Sequence, residues 1–235
     1  MKNIAIILAG GVGSRMGGSI PKQFSQIAGK MVIEHTIDAF ERHSMIDEIA
    51  VVINPSYIEE MENIVSRNPW RKVTKILKGG SERYFSTLSA IEAYADQPES
   101  NMIFHDAVRP LVSSRIIDRV VVAMESHDAV DVAVPTTDTI LEVDEKGERI
   151  IHIPNRKMLR RSQTPQAFKY SIIKEAYRRA LQDSNFVSTD DCGTVIHYMP
   201  EVPIYVVEGE EANMKLTYKE DADMMERLFQ LRSSL

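Results

Sequence analysis

Across the first 135 residues, short apolar runs alternate with longer stretches in which apolar side chains recur every three or four positions. The runs at 3–8, 48–53, 73–78, 101–105 and 129–134 have the length and continuity of strands buried on both faces, as in a parallel sheet. Between them, Ile33, Ile37 and Phe40, then Ile58, Met61 and Val65, then Leu88, Ile91 and Ala95 each mark one helical face, and their simplest use is as core. Strand and helix in alternation predict βαβ units with right-handed crossovers.

Beyond residue 135 the period changes. The segments 139–143 and 149–153 flank the polar turn Asp144-Glu145-Lys146-Gly147 and predict a β-hairpin, an arm over 138–154. Few apolar residues lie near it in sequence, so it either lies back on its own domain or projects toward another subunit. Helices are expected at 171–182 and 189–199, the second with Ser188 or Thr189 as its N-cap, then a strand at 204–207 and a helix from 219. No repeat or Pro/Ser/Gly-rich linker divides the chain, and residues 1–235 are expected to form one domain.

Composition narrows the class. With 235 residues, 43% apolar and 26% charged, the chain can bury one large α/β core. A formal net charge of −6 argues against general polyanion binding, so no nucleic-acid partner is expected. The single cysteine, Cys192, excludes an internal disulfide and a multi-cysteine metal site; it reads as packing in a helix and suits a reducing cytoplasm. The apolar strand begins within three residues of the amino terminus and no run approaches bilayer length, so neither a signal peptide nor a membrane span is expected. His35, His43, His127, His152 and His197 lack zinc-ligand spacing.

Candidate chemistry begins where the first strand ends, in Leu8-Ala9-Gly10-Gly11-Val12-Gly13-Ser14-Arg15-Met16, followed by Pro21-Lys22-Gln23. Loops at the carboxyl ends of strands are where open α/β sheets bind ligands. Glycine lets the backbone turn N–H groups toward an anion, and Arg15 and Lys22 add full charges around the same space. Two known glycine patterns do not fit. The dinucleotide fingerprint lacks its last glycine because Met16 stands there, and a Walker loop would need Gly-Lys-Ser/Thr where Lys22 lies between Pro21 and Gln23.

Further groups are less decisive from the residues themselves. Gly79-Gly80-Ser81-Glu82-Arg83, with Ser86 beyond, opens a helix after a strand; it is either an anion-binding helix terminus or a turn capped by Ser81. His105-Asp106-Ala107-Val108-Arg109-Pro110 puts a carboxylate at a strand end, suited to Mg²⁺ shared with substrate phosphates or, alternatively, to an Asp106–Arg109 ion pair. Thr164-Pro165-Gln166 is by itself a turn signal, and Arg156 one arginine among many. Lys215, in Asn213-Met214-Lys215-Leu216-Thr217, follows an acidic run and reads as its solvated partner.

Taken together, Leu-Ala-Gly-Gly-x-Gly-x-Arg-Met followed by Pro-Lys-Gln resembles the signature of the cytidylyltransferases that act on 2-C-methylerythritol 4-phosphate and ribitol 5-phosphate. The resemblance implies a Rossmann-like, mostly parallel α/β sheet sandwiched by helices, with a projecting hairpin arm exchanged in a homodimer. It implies transfer of CMP from CTP to a polyol phosphate with release of pyrophosphate, assisted by Mg²⁺ near Asp106. Arg15, Lys22 and Lys215 would be the catalytic cations; Ala9, Gly10, Gly11, Gly13 and Asp106 would hold the nucleotide; Gly80, Ser81 and Ser86 would read the cytosine. Thr139, Arg156 and Thr164 would contact the acceptor phosphate, with Arg83 organising its turn and Arg109 its loop.

For the acceptor, the spellings Ala9-Gly10-Gly11, Pro21-Lys22-Gln23-Phe24, His105-Asp106-Ala107-Val108-Arg109, Ile153-Pro154-Asn155-Arg156 and Thr189-Asp190-Asp191-Cys192 resemble the ribitol 5-phosphate branch more than the methylerythritol branch. Against that, Leu159-Arg160-Arg161-Ser162 departs from the Tyr-Gln-Gly usual there, and its arginines suit either a more acidic acceptor or solvent. Without a fused reductase, a separate protein is expected to supply ribitol 5-phosphate. A nucleotide-binding regulator without turnover is the alternative of another class; the retained cations and Asp106 argue against it.

Overall fold

The computed structural model describes residues 1–11, 21–80, 82–188 and 190–233. In chain order its elements are β1 (Lys2–Ala9), β2 (Gln26–Ile27), β3 (Lys30–Met31), α1 (Val32–Glu41), β4 (Glu48–Ile53), α2 (Ile58–Arg67), β5 (Val73–Lys78), α3 (Arg83–Ala93), β6 (Ser100–Asp106), α4 (Ser114–Ala123), β7 (Ala129–Pro135), β8 (Glu142–Val143), β9 (Ile150–His152), β10 (Arg160–Lys169), α5 (Tyr170–Ala180), α6 (Asp191–Tyr198), β11 (Tyr205–Glu208) and α7 (Lys219–Ser233). The central sheet has seven strands in the order β11-β7-β10-β6-β1-β4-β5. Only β10 runs antiparallel to its neighbours β6 and β7.

The apolar runs became strands because their alternate residues face two separate cores. Along β1, Ala5, Ile7 and Ala9 join one cluster with Ile33, Ile37 and Phe40 of α1 and Ile116, Ile117 and Val120 of α4. Ile4, Ile6 and Leu8 join the other, with Ala90 and Ile91 of α3, Ile173 and Tyr177 of α5 and Val195 of α6. Both faces are dry, as a parallel sheet requires. On α2 the fully buried residues are Met61 and Ile64, with Ile58 and Val65 packed at the edge. Ala95 lies beyond the end of α3, and Tyr94 is buried in its place.

Two expectations need correction. The residue that caps α6 is Asp190, not Ser188 or Thr189: its Oδ1 accepts the Gly193 N–H at 2.6 Å. A carboxylate there also complements the positive end of the helix. The second concerns Thr164-Pro165-Gln166, which lies within a ten-residue strand and not in a turn between elements. The pairing of β10 with β7 shifts register between Ser162 and Gln166, and Pro165 falls inside that irregularity, where the missing N–H breaks no ladder.

The hairpin forms as β8 and β9, shorter than the pattern suggested. Its turn closes through the Asp144 carbonyl, which accepts the Gly147 N–H at 2.8 Å, and Gly147 takes the positive φ of 72° that favours glycine. Cys192 is buried, as expected of a packing residue, and burial pushes its thiol far above the ordinary range. Among the described residues no helix is long and apolar enough to cross a membrane.

Candidate active site

Strand β1 is flanked by β4 on one side and β6 on the other, so the chain reverses its direction of sheet growth between β5 and β6. Such a switch point opens a crevice at the carboxyl ends of the strands. Leu8 and Asp106 are register partners there, which sets the loop after β1 beside the loop after β6. The candidate residues converge on this crevice from parts of the chain far apart in sequence.

Buried Gln23, in the short 3-10 turn Lys22–Phe24, donates its amide to the Ala9 carbonyl at 2.9 Å and the Gly11 carbonyl at 3.3 Å. It thereby ties the Pro-Lys-Gln segment to the start of the glycine loop. Lys22 Nζ reaches the other way, to the Thr217 carbonyl at 3.2 Å. Gly13 and Arg15 lie outside the described residues.

The two glycine loops meet at Ser86. A Cβ on Gly10 would approach Ser86 Oγ to 3.1 Å, and one on Gly79 to 2.9 Å. Gly80 is more constrained: a Cβ there would lie 2.3 Å from that of Phe85. These positions therefore need glycine for close approach. Ser81 lies outside the described residues. Arg83, expected to organise its own turn, reaches instead to α6, where its Nη1 donates to Asp191 Oδ2 at 2.6 Å. Asp191 is fully buried and also accepts from Thr87 Oγ1 at 2.8 Å and Tyr177 Oη at 2.7 Å, locking α3, α5 and α6 together.

Asp106 is the electrostatic centre. Its Oδ2 lies 2.8 Å from Lys215 Nζ and 3.6 Å from Arg109 Nε. The lysine expected from the residues alone to pair with the acidic run before it is thus turned into the crevice. Burial opposes ionisation of Asp106, but Lys215, Arg83 and Arg109 outweigh it and hold the carboxyl down at about 2. Arg109, the ion-pair partner weighed for this aspartate, also donates Nη1 to the Asn213 carbonyl at 2.9 Å and so fixes the Lys215 segment. Leu216, directly after Lys215, is fully buried and its N–H donates to the Val108 carbonyl at 2.9 Å.

Beneath Asp106 runs a relay that the sequence did not reveal. The Arg109 carbonyl can only accept, so His105 Nε2, 3.1 Å away, carries the ring proton. His105 Nδ1 then accepts from the Thr164 hydroxyl at 3.0 Å, and that same oxygen accepts the Asp106 N–H at 3.1 Å. Burial depresses His105 to about 4, keeping it neutral. Thr164, expected at the acceptor phosphate, is buried with its hydroxyl engaged on both sides; it is a positioning residue for Asp106. Buried Asn213 braces the relay by donating Nδ2 to the Thr164 carbonyl at 2.8 Å. His105 escaped notice because a strand-end histidine beside a carboxylate carries no distinctive spacing.

Thr139 and Arg156 stay apart from this group, exposed along the arm, with Arg156 Nη1 donating to the Thr137 carbonyl at 2.9 Å. The two unusual arginines are engaged locally: Arg161 Nη2 with the Glu211 carboxylate at 2.6 Å, and Arg160 Nη1 with the Lys157 and Leu159 carbonyls at 2.9 Å each. Among the described residues no group of three His, Cys, Asp or Glu side chains assembles to hold a metal. An ionised carboxylate at a strand end, as Asp106 is, still suits Mg²⁺, which keeps much of its water and takes few protein ligands.

The sequence matches the profile of the family described as IspD, 2-C-methyl-D-erythritol 4-phosphate cytidylyltransferase, over residues 3–230. The chain belongs to this family. It is accordingly a nucleotidyltransferase of the cytidylyltransferase type. It is 47% identical over 233 residues to the bifunctional ribulose 5-phosphate reductase/CDP-ribitol pyrophosphorylase Bcs1 of Haemophilus influenzae, covering 99% of this chain and 49% of that protein. The chain thus spans about half of that relative's length. It is also 42% identical to the 2-C-methyl-D-erythritol 4-phosphate cytidylyltransferase of Thermobifida fusca (strain YX), covering 95% of this chain and 92% of that one. Among solved structures, the 4-diphosphocytidyl-2C-methyl-D-erythritol synthase of Anaerococcus prevotii DSM 20548 superposes with a TM-score of 0.84 at 29% identity, covering 97% and 98% of the two chains.

Proposed function

We propose that the chain transfers CMP from CTP to D-ribitol 5-phosphate, yielding CDP-ribitol and pyrophosphate. The observation that carries the transferase reading is the pairing of Lys215 with ionised Asp106 at the sheet's switch point, with Lys22 Nζ on the Thr217 carbonyl of the Lys215 segment. The acceptor rests on the 47% identity to the CDP-ribitol pyrophosphorylase over nearly the whole of this chain. 2-C-methyl-D-erythritol 4-phosphate is the second reading, favoured by the T. fusca relative that this chain matches over 92% of its length.

In this mechanism an oxygen of the acceptor phosphate attacks the α-phosphorus of CTP in line, a new P–O bond forms, and the bond to the β-phosphate breaks to release pyrophosphate. No covalent protein intermediate is needed. Arg15, Lys22 and Lys215 neutralise charge that grows on the phosphates, and electrostatic positioning of this kind supplies the rate. Ala9, Gly10, Gly11 and Gly13 approach the triphosphate by backbone, while Gly80, Ser81 and Ser86 read the base. Mg²⁺ held by Asp106 would add Lewis-acid stabilisation of the same phosphates.

The arm over 138–154 is proposed to dock on a second copy of the chain, within one cytidylyltransferase domain spanning 1–235. Ile140, Leu141, Val143, Ile150, Ile151 and Ile153 are each 42–61% exposed, an apolar surface of a kind that marks an interface. Such docking would carry Thr139 and Arg156 toward the partner's acceptor site.

Pyrophosphate release with CTP and Mg²⁺, offering each polyol phosphate in turn, tests these assignments together. Turnover with ribitol 5-phosphate exceeding that with methylerythritol phosphate is expected; the reverse order exchanges the two readings. CTP binding without turnover on any acceptor would favour a regulator instead. Equal use of UTP or ATP would sink the base-reading assignment.

A further inference from the structure

Beside Asp106 lies a second polar group that the transfer chemistry leaves unused. Asp131 of β7 and Gln166 of β10 are register partners. Stepping by twos, back from Asp106 to Phe104 and Met102, back from Asp131 to Ala129, and forward from Gln166 to Phe168 in its antiparallel strand, reaches members of the core packed by α3, α5 and α6. The three polar residues therefore share that face, with Asp131 and Gln166 level with Phe104, one same-face step inward from Asp106 and the strands' ligand-binding end. Asp190, at the start of α6, closes the group from above.

Hydrogen bonding fixes its polarity. Gln166 Nε2 donates to Asp131 Oδ1 at 3.2 Å and Asp190 Oδ2 at 2.9 Å, and Ser162 Oγ lies 3.1 Å from Asp131 Oδ1. An amide nitrogen held between two carboxylates cannot exchange places with its oxygen, which would face two anions. Gln166 Oε1 is consequently directed, and it is buried without a hydrogen-bond partner among the described residues, in a side chain only 1% exposed. Such an acceptor lacks a donor that a ligand can bring. Burial also pushes Asp131 up to about 6 against the bonds from Ser162 and Gln166. The group as a whole is rich in acceptors and short of donors.

We infer that Asp131, Gln166 and Asp190 form a hydroxyl-reading wall that selects an unbranched polyol chain in the acceptor phosphate. The inference deepens the polyol-phosphate reading above and rests on it. Successive O–H groups of a pentitol satisfy Gln166 Oε1 and the free carboxylate lone pairs, whereas the methylerythritol chain is one carbon shorter, brings one hydroxyl fewer and carries a methyl branch that cannot donate. Sites built to bond a substrate hydroxyl reject analogues lacking it far more strongly than apolar pockets reject a methylene.

The test uses Asp131→Asn, which keeps shape, and Gln166→Met, which removes both amide groups. For ribitol 5-phosphate the KM should rise about tenfold or more in each, the size expected for hydrogen bonds to a charged or buried group. The KM for CTP and the saturated kcat should hold, and use of 2-C-methylerythritol 4-phosphate or of a deoxy analogue of ribitol 5-phosphate should be undiminished. An equal loss with every acceptor, a shifted KM for CTP, or no change at all would overturn the inference. If the wild-type protein turns over no polyol phosphate, the functional reading has failed by itself. Calorimetric titration of ribitol 5-phosphate into wild type and both variants with CTP present then decides the wall: binding weakened in the variants supports it, and absence of binding to wild type, or equal binding to all three, overturns it.

Discussion

The crevice around Asp106 and the arm formed by β8 and β9 invert the usual partition of side chains in opposite senses. In the crevice, His105, Asp106 and Asp191 are buried, and each is held by partners drawn from distant segments. On the arm, six large aliphatic residues face outward with little of their own chain to cover them. A buried charge is tolerated only with partners, and an exposed apolar strip is stabilised only by something covering it. The crevice has supplied its own partners; the arm's apolar strip stands open.

The sharpest way to break the first half of this comparison is Asp191→Ala. Half-buried Arg83 would then lose its carboxylate and the buried Thr87 and Tyr177 hydroxyls their acceptor, a combined cost of about 3 kcal/mol, the low end for a buried pair. The urea midpoint should fall accordingly; a fall no larger than for a surface alanine substitution would show that the lock between α3 and α6 is dispensable. Next in size, Lys22→Ala should cut turnover by about 10²-fold to 10³-fold, the cost of one lost transition-state contact, while the urea midpoint stays near that of wild type. Near-normal turnover would remove Lys22 from the mechanism.

His105 gives a pH test. Its folded value near 4 lies below the ordinary histidine value of 6.5, so the unfolded chain binds the proton more readily. Its neutral form therefore contributes stability that is complete above pH 6.5 and is lost as pH falls through about 4, amounting to about 3 kcal/mol at most. Ring resonances of His105 should remain those of the neutral Nε2–H tautomer at pH 5.5; titration near 6.5 would break the relay to Thr164. The smallest effect on the monomer sharpens the second half: Ile151→Asp, on an exposed position, should change its stability by less than about 0.5 kcal/mol yet abolish dimerisation in sedimentation. A dimer that survives would free the arm from that role.

The distribution of what was legible follows the same physics. The apolar runs predicted five strands of the sheet to within a residue or two at each end, because strands buried on both faces must be apolar throughout. Strand β10 escaped because Arg160-Arg161-Ser162-Gln163-Thr164-Pro165-Gln166 is polar and interrupted by proline. Its side chains serve the crevice, so the pattern that marks a strand was given up where the strand meets function. The glycine loop and Lys22 were visible as a local cluster, and so was Asp106 at its strand end. Lys215 was visible only through the family resemblance, since from its neighbours alone it belonged with the acidic run before it.

The sequence by itself determined the alternation of strands and helices, the glycine loop with its cations, and the hairpin with its polar turn, because each depends on residues close together in the chain. Only the tertiary structure decided that Lys215 pairs with Asp106, that Thr164 supports the site from beneath, and that Gln166 joins Asp131 to Asp190. Those contacts join segments separated by up to 109 positions, from 106 to 215, and short-range periodicity carries no information across such a distance. They form because burying these polar groups is favourable only when each finds its partner, and the sheet's switch point is where the partners meet.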